Sequence, residues 1–216
     1  MEKEEMALTA PGGVLVKKRA NEKNREKRKN WKSTLLMVLG AVMMAVALLL
    51  FLHTPLRDWR LGRSAAETVE VIKGQTGGAA VSGMAAVEYS GYAYMGCLTI
   101  PELELELPVM ADWSDEKLKV SPCRYYGSLA TENMVLVAHN YAPFFGHLKN
   151  LSVGDRLSFT DVSGQVWAYT VAELEVLPPS AVQEMTHSGY PLTLFTCTDD
   201  NANRLTVRCT VAEEMR

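Results

Sequence analysis

The chain has 216 residues, 48% of them hydrophobic, and a formal net charge of -3 at pH 7. This length allows one compact domain plus a membrane segment, since a domain usually takes roughly 100 to 200 residues, and a second full domain is not expected. Residues 1–33 carry ten Lys/Arg against five Asp/Glu, whereas the remaining 183 carry twelve against twenty. A nucleic-acid binder would carry its basic surface on the folded part, so the charge distribution argues against nucleic acid as a partner.

An uncharged apolar run of 19 residues, TLLMVLGAVMMAVALLLFL at 34–52, follows the basic tail. As a helix it would extend about 28 Å, close to the roughly 30 Å hydrocarbon core of a bilayer. Nine basic residues between Lys17 and Lys32 precede it, which predicts a cytoplasmic N-terminus and an exported remainder. A cleaved signal peptide is the alternative; the long basic region, the long apolar run and the lack of an A-x-A-like site in HTPLRDWRLGRS disfavour it.

These features predict four parts along the chain. They are a basic cytoplasmic tail at 1–33, a single transmembrane anchor at 34–53, a stalk or linker at 54–87 and a folded domain at 88–216. Within the stalk, SAAETVEVIK is compatible with a short helix and GQTGGAAVSG with a flexible linker.

The pattern after the stalk is rich in β-strands. GYAYMGCLTI predicts a strand that ends before Pro101, and ELELELPV predicts a strand with leucines inward and glutamates outward. A solvated face is the preferred interpretation of these glutamates over a metal site, because no His or Asp accompanies them. NMVLVAHN predicts an apolar strand that ends in His139, and RLSFTDVSGQVWAYTVAELEVL predicts a hairpin that turns around Asp161 to Gly164.

The last third of the chain predicts one helix and a closing pair of strands. In PPSAVQEM, Ser180 and Gln183 have capping-box spacing for one short helix. LTLFTC and RLTVRCTV then form a hairpin around the turn TDDNAN. At least seven short strands with little helix predict a mainly β domain of about 130 residues, either an antiparallel barrel or a sandwich.

Side-chain alternation in the last two strands separates their faces. Cys209 lies on an apolar face and is expected in the core, whereas Arg204 and Arg208 are expected to point away from that core. If the six residues of the turn form the hairpin loop, Cys197 pairs with Arg204, and Arg208 faces Thr193. The alternative is that both arginines are ordinary surface residues.

A reactive cysteine needs a neighbouring group that raises its thiolate fraction and protonates the leaving amine, and an adjacent histidine does both. The chain offers His53, His139, His147 and His187. His139 is the strongest candidate because it directly follows an apolar strand, so its side chain is expected at the end of that strand. His147 is the second candidate. His53 lies at the membrane boundary, and His187 lies in a turn-like segment.

Four cysteines in an exported domain are compatible with two disulfides. They are Cys97, Cys123, Cys197 and Cys209, and their spacings match no CxxC metal or redox motif. If Cys197 is catalytic, at least one other cysteine is unpaired or bonds outside the chain. The sequence leaves open whether Cys97 and Cys123 pair.

Residues 89–211 resemble the sortase family in three segments: LVAHNY with His139, TLFTC with Cys197 in that family's TLxTC pattern, and RLTV with Arg204. The resemblance implies a closed, mostly antiparallel eight-stranded β-barrel with one or two short helices, preceded by the single transmembrane helix. It also implies a membrane-anchored cysteine transpeptidase of Gram-positive bacteria. Its expected partners are secreted proteins with a C-terminal sorting motif and an amine acceptor in peptidoglycan or a pilin lysine.

By position, the resemblance makes Cys197 the nucleophile, His139 the general acid/base, and Arg204 the stabiliser of the oxyanion or binder of the substrate backbone. Thr196 directly precedes Cys197, and Asn140 directly follows His139. Both are the expected substrate-binding positions. The resemblance implies no organic cofactor and no metal for the reaction.

Two features leave the subclass open, with a class B-like enzyme as one candidate. The loop between Cys197 and Arg204 is short for the family, and Asn140 follows the histidine. Some relatives bind calcium through acidic loop residues, but no such site maps onto this sequence. Asp199 and Asp200 are instead expected to form a turn.

Two other functions compete with this interpretation. The first is an anchored extracellular cysteine hydrolase or peptidase of another class; papain-like enzymes place the cysteine before the histidine, and the His-Gly-Cys type segment of an L,D-transpeptidase is missing from the sequence. The second is a non-enzymatic cell-wall-binding β-domain in which Cys197 is structural.

Overall fold

The structure of the protein is a computed structural model that describes residues 12–75 and 85–212. The chain divides into two compact units, Met1–Thr54 and Pro55–Arg216. The first helix, α1 (Gly12–Gln75), contributes residues to both units.

The first unit holds the predicted membrane anchor. The part of α1 that the structure describes includes a span long and apolar enough to cross a membrane. The large apolar side chains between Leu35 and Leu52 are exposed, as a lipid-facing helix requires.

The second unit is a β-barrel. In residues 85–212 the strands are β1 (Val87–Tyr89), β2 (Tyr92–Ile100), β3 (Leu105–Met110), β4 (Cys123–Tyr126), β5 (Met134–Val137), β6 (Arg156–Asp161), β7 (Val166–Leu177), β8 (Leu192–Cys197) and β9 (Arg204–Val211). A short helix, α2 (Val182–Thr186), lies between β7 and β8, and three-residue 3-10 helices start at Pro101, Lys117 and Leu148.

Eight of these strands close into a ring, which confirms the predicted fold class. Their order is β2-β3-β4-β5-β8-β9-β7-β6, and β6 pairs again with β2, while β1 extends one edge as a hairpin with β2. The pairs β3–β4 and β5–β8 are parallel and the others are antiparallel. The predicted hairpins β6–β7 and β8–β9 are both present.

Gly96 permits the closure between β2 and β6. A Cβ atom at this position would lie 2.2 Å from the carbonyl oxygen of Thr160 and 2.8 Å from the ring of Phe159. Both contacts are far shorter than a van der Waals separation, so the two strands approach closely only because glycine has no side chain.

The barrel buries apolar side chains on both faces. The interior cluster includes Leu98, Leu136, Leu194, Val207 and Cys209, which confirms Cys209 as a core residue. The outer cluster includes Tyr94, Cys97, Cys123, Val135 and Phe195.

The start of the second unit is a helix that packs against the barrel. Residues 55–75 are helical, and Ala65, Val69 and Ile72 are buried in the two clusters. Lys73 also forms a 2.6 Å ion pair with Glu106 on β3. Apolar side chains spaced three and four residues apart form one face of a helix, and this face packs against the barrel. The helical part of the predicted stalk is therefore integral to the domain.

Two local predictions were wrong. The strand predicted from ELELELPV begins only at Leu105, because Pro101 starts a 3-10 helix and Glu104 adopts a left-handed conformation with φ 52°. Ser180 does not cap α2: the N-cap residue is Ala181, and no side chain caps the helix.

Arg208 points away from the barrel interior, as predicted. It is 2% exposed, so the alternative of an ordinary surface residue does not hold for it. The connection between β7 and β8 covers this outer face of the sheet, and the guanidinium donates to two of its main-chain carbonyls, those of Glu184 and Met185.

Candidate active site

The antiparallel pair β8–β9 brings the predicted nucleophile and the predicted arginine together. Cys197 and Arg204 are Cα partners in the observed register, and Arg208 is the partner of Thr193, as side-chain alternation predicted. Cys197 shares the outer face of β8 with Phe195, whereas Thr196 lies on the opposite face.

The parallel pair β5–β8 brings the histidine to the same place. Val137 is the partner of Phe195, so two further residues along each chain set His139 opposite Cys197. The pairing continues beyond the strand, because the Ala138 N–H donates to the Phe195 carbonyl at 3.3 Å. Neighbouring strands lie about 4.8 Å apart, so the imidazole and the thiol occupy adjacent strand ends on one face.

His139, Cys197 and Arg204 line one groove with a volume of about 300 Å³. The connection between β3 and β4 (residues 111–122) forms part of its wall through Trp113, Asp115 and Leu118. The connection between β7 and β8 (residues 178–191), here called the β7–β8 segment, contributes Pro178, Pro179, Ala181, Val182 and Met185. Apart from Asp115, the walls of the groove are therefore apolar, and its other polar groups lie at the strand ends.

An aromatic row runs along the groove. Trp113 and Tyr125 have ring centroids 5.4 Å apart, and Tyr125 meets Phe195 edge to face at 5.2 Å. Trp113 is 45% exposed, so this row presents apolar surface to solvent beside the nucleophile. Exposed aromatic surface inside a groove is typical of a binding site.

His139 is half-buried and stacks on Tyr141, with ring centroids 4.8 Å apart and planes inclined by 29°. The guanidinium carbon of Arg57, on α1, lies 4.0 Å from the centroid of the same tyrosine ring. Burial lowers the pKa of His139 below its ordinary value, because desolvation disfavours the imidazolium. The positive charges of Arg57 and Lys119 lower this pKa further, and Asp115 opposes them.

We expect Arg57→Gln to raise the pKa of His139, because it removes a positive charge that disfavours the imidazolium. Burial remains, so the value stays below the ordinary one. The measurement is a pH titration of ¹³C-labelled histidine resonances in the full chain in detergent micelles. Arg63→Gln is the control, since this arginine lies on the same helix and pairs with Glu67. Equal titration midpoints in wild type and Arg57→Gln would contradict the expectation.

The two predicted substrate-binding side chains make contacts within the protein. Thr196 is 2% exposed, and its hydroxyl donates to the Ala138 carbonyl at 2.8 Å. The Asn140 side-chain amide donates to the Thr198 carbonyl at 3.3 Å. Both bonds connect the end of β5 to the end of β8. Contact of either residue with a substrate stays a prediction.

Both aspartates of the turn after Cys197 have polar partners within the protein. Asp200 accepts hydrogen bonds from the Thr198 hydroxyl and from the Ala202 N–H, and the first of these contributes most to holding its pKa below the ordinary value. Asp199 pairs with Lys149 at 2.6 Å on the surface. Within the described residues these carboxylates thus act in a turn and an ion pair, in line with the turn expected at this position.

The other histidines do not line this groove, within the part of the chain that the structure describes. His53 lies in the first unit. His147 is exposed beside the 3-10 helix at Leu148. His187 ends α2, where its Nε2 lies 3.4 Å from the Tyr126 hydroxyl.

All four cysteines are free thiols. Burial raises the pKa of Cys97 to about 11 and that of Cys123 and Cys209 to about 12. Cys197 differs from these three because it is partly exposed and faces the groove.

The family comparison agrees with the motif order and the barrel. A family model described as the Sortase domain matches residues 98–212, which is more than half of the chain. The chain belongs to the sortase family. It is therefore a sortase-type cysteine transpeptidase by family, and its subclass stays a prediction. Among curated proteins, none is significantly similar to it in sequence.

Solved sortase structures share its fold. Sortase C1 of GBS pilus island 1 is 25% identical with a TM-score of 0.50, over 74% of this chain and 85% of that one. Sortase C from Clostridium perfringens SM101 is 22% identical with a TM-score of 0.50, over 73% and 90%. The Clostridium perfringens sortase D5 transpeptidase is 17% identical with a TM-score of 0.50, over 56% and 79%.

Several residues that line the groove or surround His139 were missed by sequence reasoning. Trp113, Asp115 and Tyr125 come from segments far from Cys197 along the chain, and only the closed barrel brings them to the groove. Tyr141 had a local signal, because it lies two residues after His139 in an aromatic loop. Arg57 had no local sequence signal, since it lies in the predicted stalk.

Proposed function

We propose that this sortase cleaves the C-terminal sorting signal of secreted proteins through a thioester on Cys197 and transfers them to an amine acceptor. The acceptor is a peptidoglycan peptide or a pilin lysine. The observation that carries the proposal is the register of three adjacent strands, which gathers His139, Cys197 and Arg204 at one groove.

The groove suits an extended peptide. Its apolar walls offer Trp113, Val182 and Met185 to substrate side chains. The polar groups at the strand ends then act on the backbone of the scissile bond. This division matches the usual composition of ligand sites, in which apolar surface supplies affinity and a few polar groups fix orientation.

The first half-reaction forms a thioester. The thiolate of Cys197 attacks the carbonyl carbon of the scissile amide, and the C–S bond forms as the carbonyl electrons move onto oxygen. The guanidinium of Arg204 donates hydrogen bonds to this oxyanion. As the intermediate collapses, the C–N bond breaks and His139 transfers its proton to the leaving amine.

The second half-reaction forms the new amide. The acceptor amine attacks the thioester carbon, and His139 takes up the proton that the amine loses. Collapse of this second intermediate breaks the C–S bond and returns the thiolate. The apolar groove walls favour a bound amine over water at this step.

The membrane arrangement is part of the proposal. The basic residues before the apolar span support a cytoplasmic N-terminus, with the barrel on the outer face of a Gram-positive cell membrane. A secreted substrate and the cell wall are both on that side, so donor and acceptor can reach the same groove.

The test is to trap the thioester. The full chain in detergent is incubated with a library of short peptides that carry C-terminal sorting motifs, without an amine acceptor, and the intact protein is weighed by mass spectrometry. We expect a peptide adduct on Cys197 that disappears when a small amine is added and a new amide product appears. A chain that turns over no peptide and forms no adduct would refute the proposal.

Alkylation with iodoacetamide separates the enzyme from a structural domain. At pH 7.5 we expect one fast modification, at Cys197, because the other three thiols are buried and their raised pKa values keep them protonated. A bound sorting peptide should slow this reaction. If Cys197 reacts as slowly as Cys209, or if no peptide of the library protects it, the non-enzymatic alternative gains support.

A further inference from the structure

Arg208 takes no part in the chemistry above, yet it is among the largest fully buried side chains of the described residues. It lies four residues after Arg204 on β9, on the same outer face of the barrel. A buried guanidinium is costly unless its donors are satisfied, so its partners indicate what it holds in place.

One guanidinium connects three elements. Its Nε donates to Oε1 of Glu175 on β7 at 2.7 Å, and Nη1 donates to the Thr193 hydroxyl on β8 at 3.1 Å. Nη1 also donates to the Met185 carbonyl at 3.3 Å, and Nη2 donates to the Glu184 carbonyl at 2.7 Å. These two carbonyls belong to the last turn of α2, where a helix has no internal donors for them.

Other contacts of α2 and His187 with the barrel run through side chains: Met185 is buried in the outer cluster, and the His187 ring lies 3.4 Å from the Tyr126 hydroxyl. Arg208 instead bonds the main chain of α2. α2 has five residues and no side-chain cap, and a helix this short is not stable by itself. Met185 has a second contact with β9, since the Thr206 hydroxyl lies 3.9 Å from its sulfur. Val182 and Met185 line the groove from this segment, so the bonds of Arg208 fix the position of one groove wall.

We propose that Arg208 is a positioning residue that holds the β7–β8 segment as a wall of the substrate groove and thereby sets the affinity for the peptide. It does so without contact with the reacting atoms. This inference rests on the proposed function of the groove.

Arg208→Lys is the test, made in the full chain in detergent. Lysine keeps the charge, but one ammonium cannot reproduce the planar fork that reaches all four acceptors. We expect KM for the sorting peptide to rise about tenfold or more, with kcat within about threefold of wild type. The rate of Cys197 alkylation should not change. Amide hydrogen exchange in residues 182–187 should accelerate about tenfold or more, while β5 and β8 keep their protection.

Arg156→Lys is the matched control, because Arg156 is an exposed arginine on β6. An unchanged KM with unchanged exchange in α2 overturns the inference. A joint loss of kcat, Cys197 reactivity and protection in β5 also overturns it, since that pattern belongs to a general structural role. If Arg208→Lys does not fold, Glu175→Gln carries the same measurements, because the Glu175 side chain is 30% exposed.

Failure of the inference is distinguishable from failure of the proposed function. If the wild-type chain turns over peptides but Arg208→Lys keeps its KM and its exchange pattern, only the role of Arg208 is wrong. If the wild-type chain turns over no peptide, the proposed function is wrong, and so is the assignment of this wall to substrate affinity.

Discussion

Cys197→Ala is expected to abolish transpeptidation, with a loss of about 10⁴-fold or more, because no other group in the groove can form the thioester. The peptide adduct should be absent from the intact mass as well. The fold should persist, since Cys197 is partly exposed and its removal leaves no cavity in the core. The measurements are the rate of amide exchange with a sorting peptide and the midpoint of chemical denaturation.

Cys209→Ala is the control, because it makes the same substitution at a cysteine of the neighbouring strand, β9. Cys209 is fully buried in the barrel interior, so this change should lower the free energy of unfolding by about 1 kcal/mol while turnover continues. Turnover that survives in Cys197→Ala at the wild-type rate would end the assignment of the nucleophile.

Arg204→Lys is expected to lower kcat by about 10²- to 10³-fold, the loss of about 2.7 to 4 kcal/mol that follows removal of one oxyanion donor. Arg204 uses one N–H to donate to the Asn203 carbonyl at 3.1 Å, which orients the planar group beside Cys197. Lysine retains the charge but lacks the second donor in that plane, so KM should change much less than kcat. Steady-state kinetics with the sorting peptide measure both constants.

The two arginines of β9 therefore have opposite expected signatures. Arg204→Lys should act on kcat, whereas Arg208→Lys should act on KM, and Arg156→Lys should change neither. The contrast depends on the observed register, in which Arg204 is the partner of Cys197. A kcat effect of equal size from Arg204→Lys and Arg208→Lys would contradict both assignments.

Local sequence signals predicted the parts of the fold that depend on neighbouring residues. Alternating side chains and a short polar turn gave the β8–β9 hairpin in its correct register, because a register slip of one residue would expose Leu194 and bury polar groups. The hairpin between β6 and β7 was predicted for the same reason. The strand that ends before His139 was predicted because a continuous apolar run of this length is typical of a buried strand.

The structure departs from the local pattern in three places. ELELEL alternates like a strand, yet Pro101 favours a 3-10 turn and the strand starts at Leu105. Residues 55–75 were assigned to a stalk or linker from composition, and in the structure Val69 and Ile72 of this helix pack against the barrel. Arg208 points away from the barrel interior as predicted, and the β7–β8 segment, which the sequence did not place there, buries it. The first outcome has a local cause in Pro101, whereas the packing of residues 55–75 and the burial of Arg208 depend on residues far apart in sequence.

The sequence by itself determined the apolar span, the strand-rich domain and the identity of the His, Cys and Arg that the sortase motifs contain, since periodicity, charge and motif spacing are local properties. Only the tertiary structure decided that β5 lies beside β8, that the four thiols are free, and that Arg57, Trp113 and Arg208 surround or support one groove. The physical reason is that barrel closure joins strands far apart in the chain. The burial of a side chain and the charges around it are then set by elements distant in sequence, which the adjacent residues do not determine.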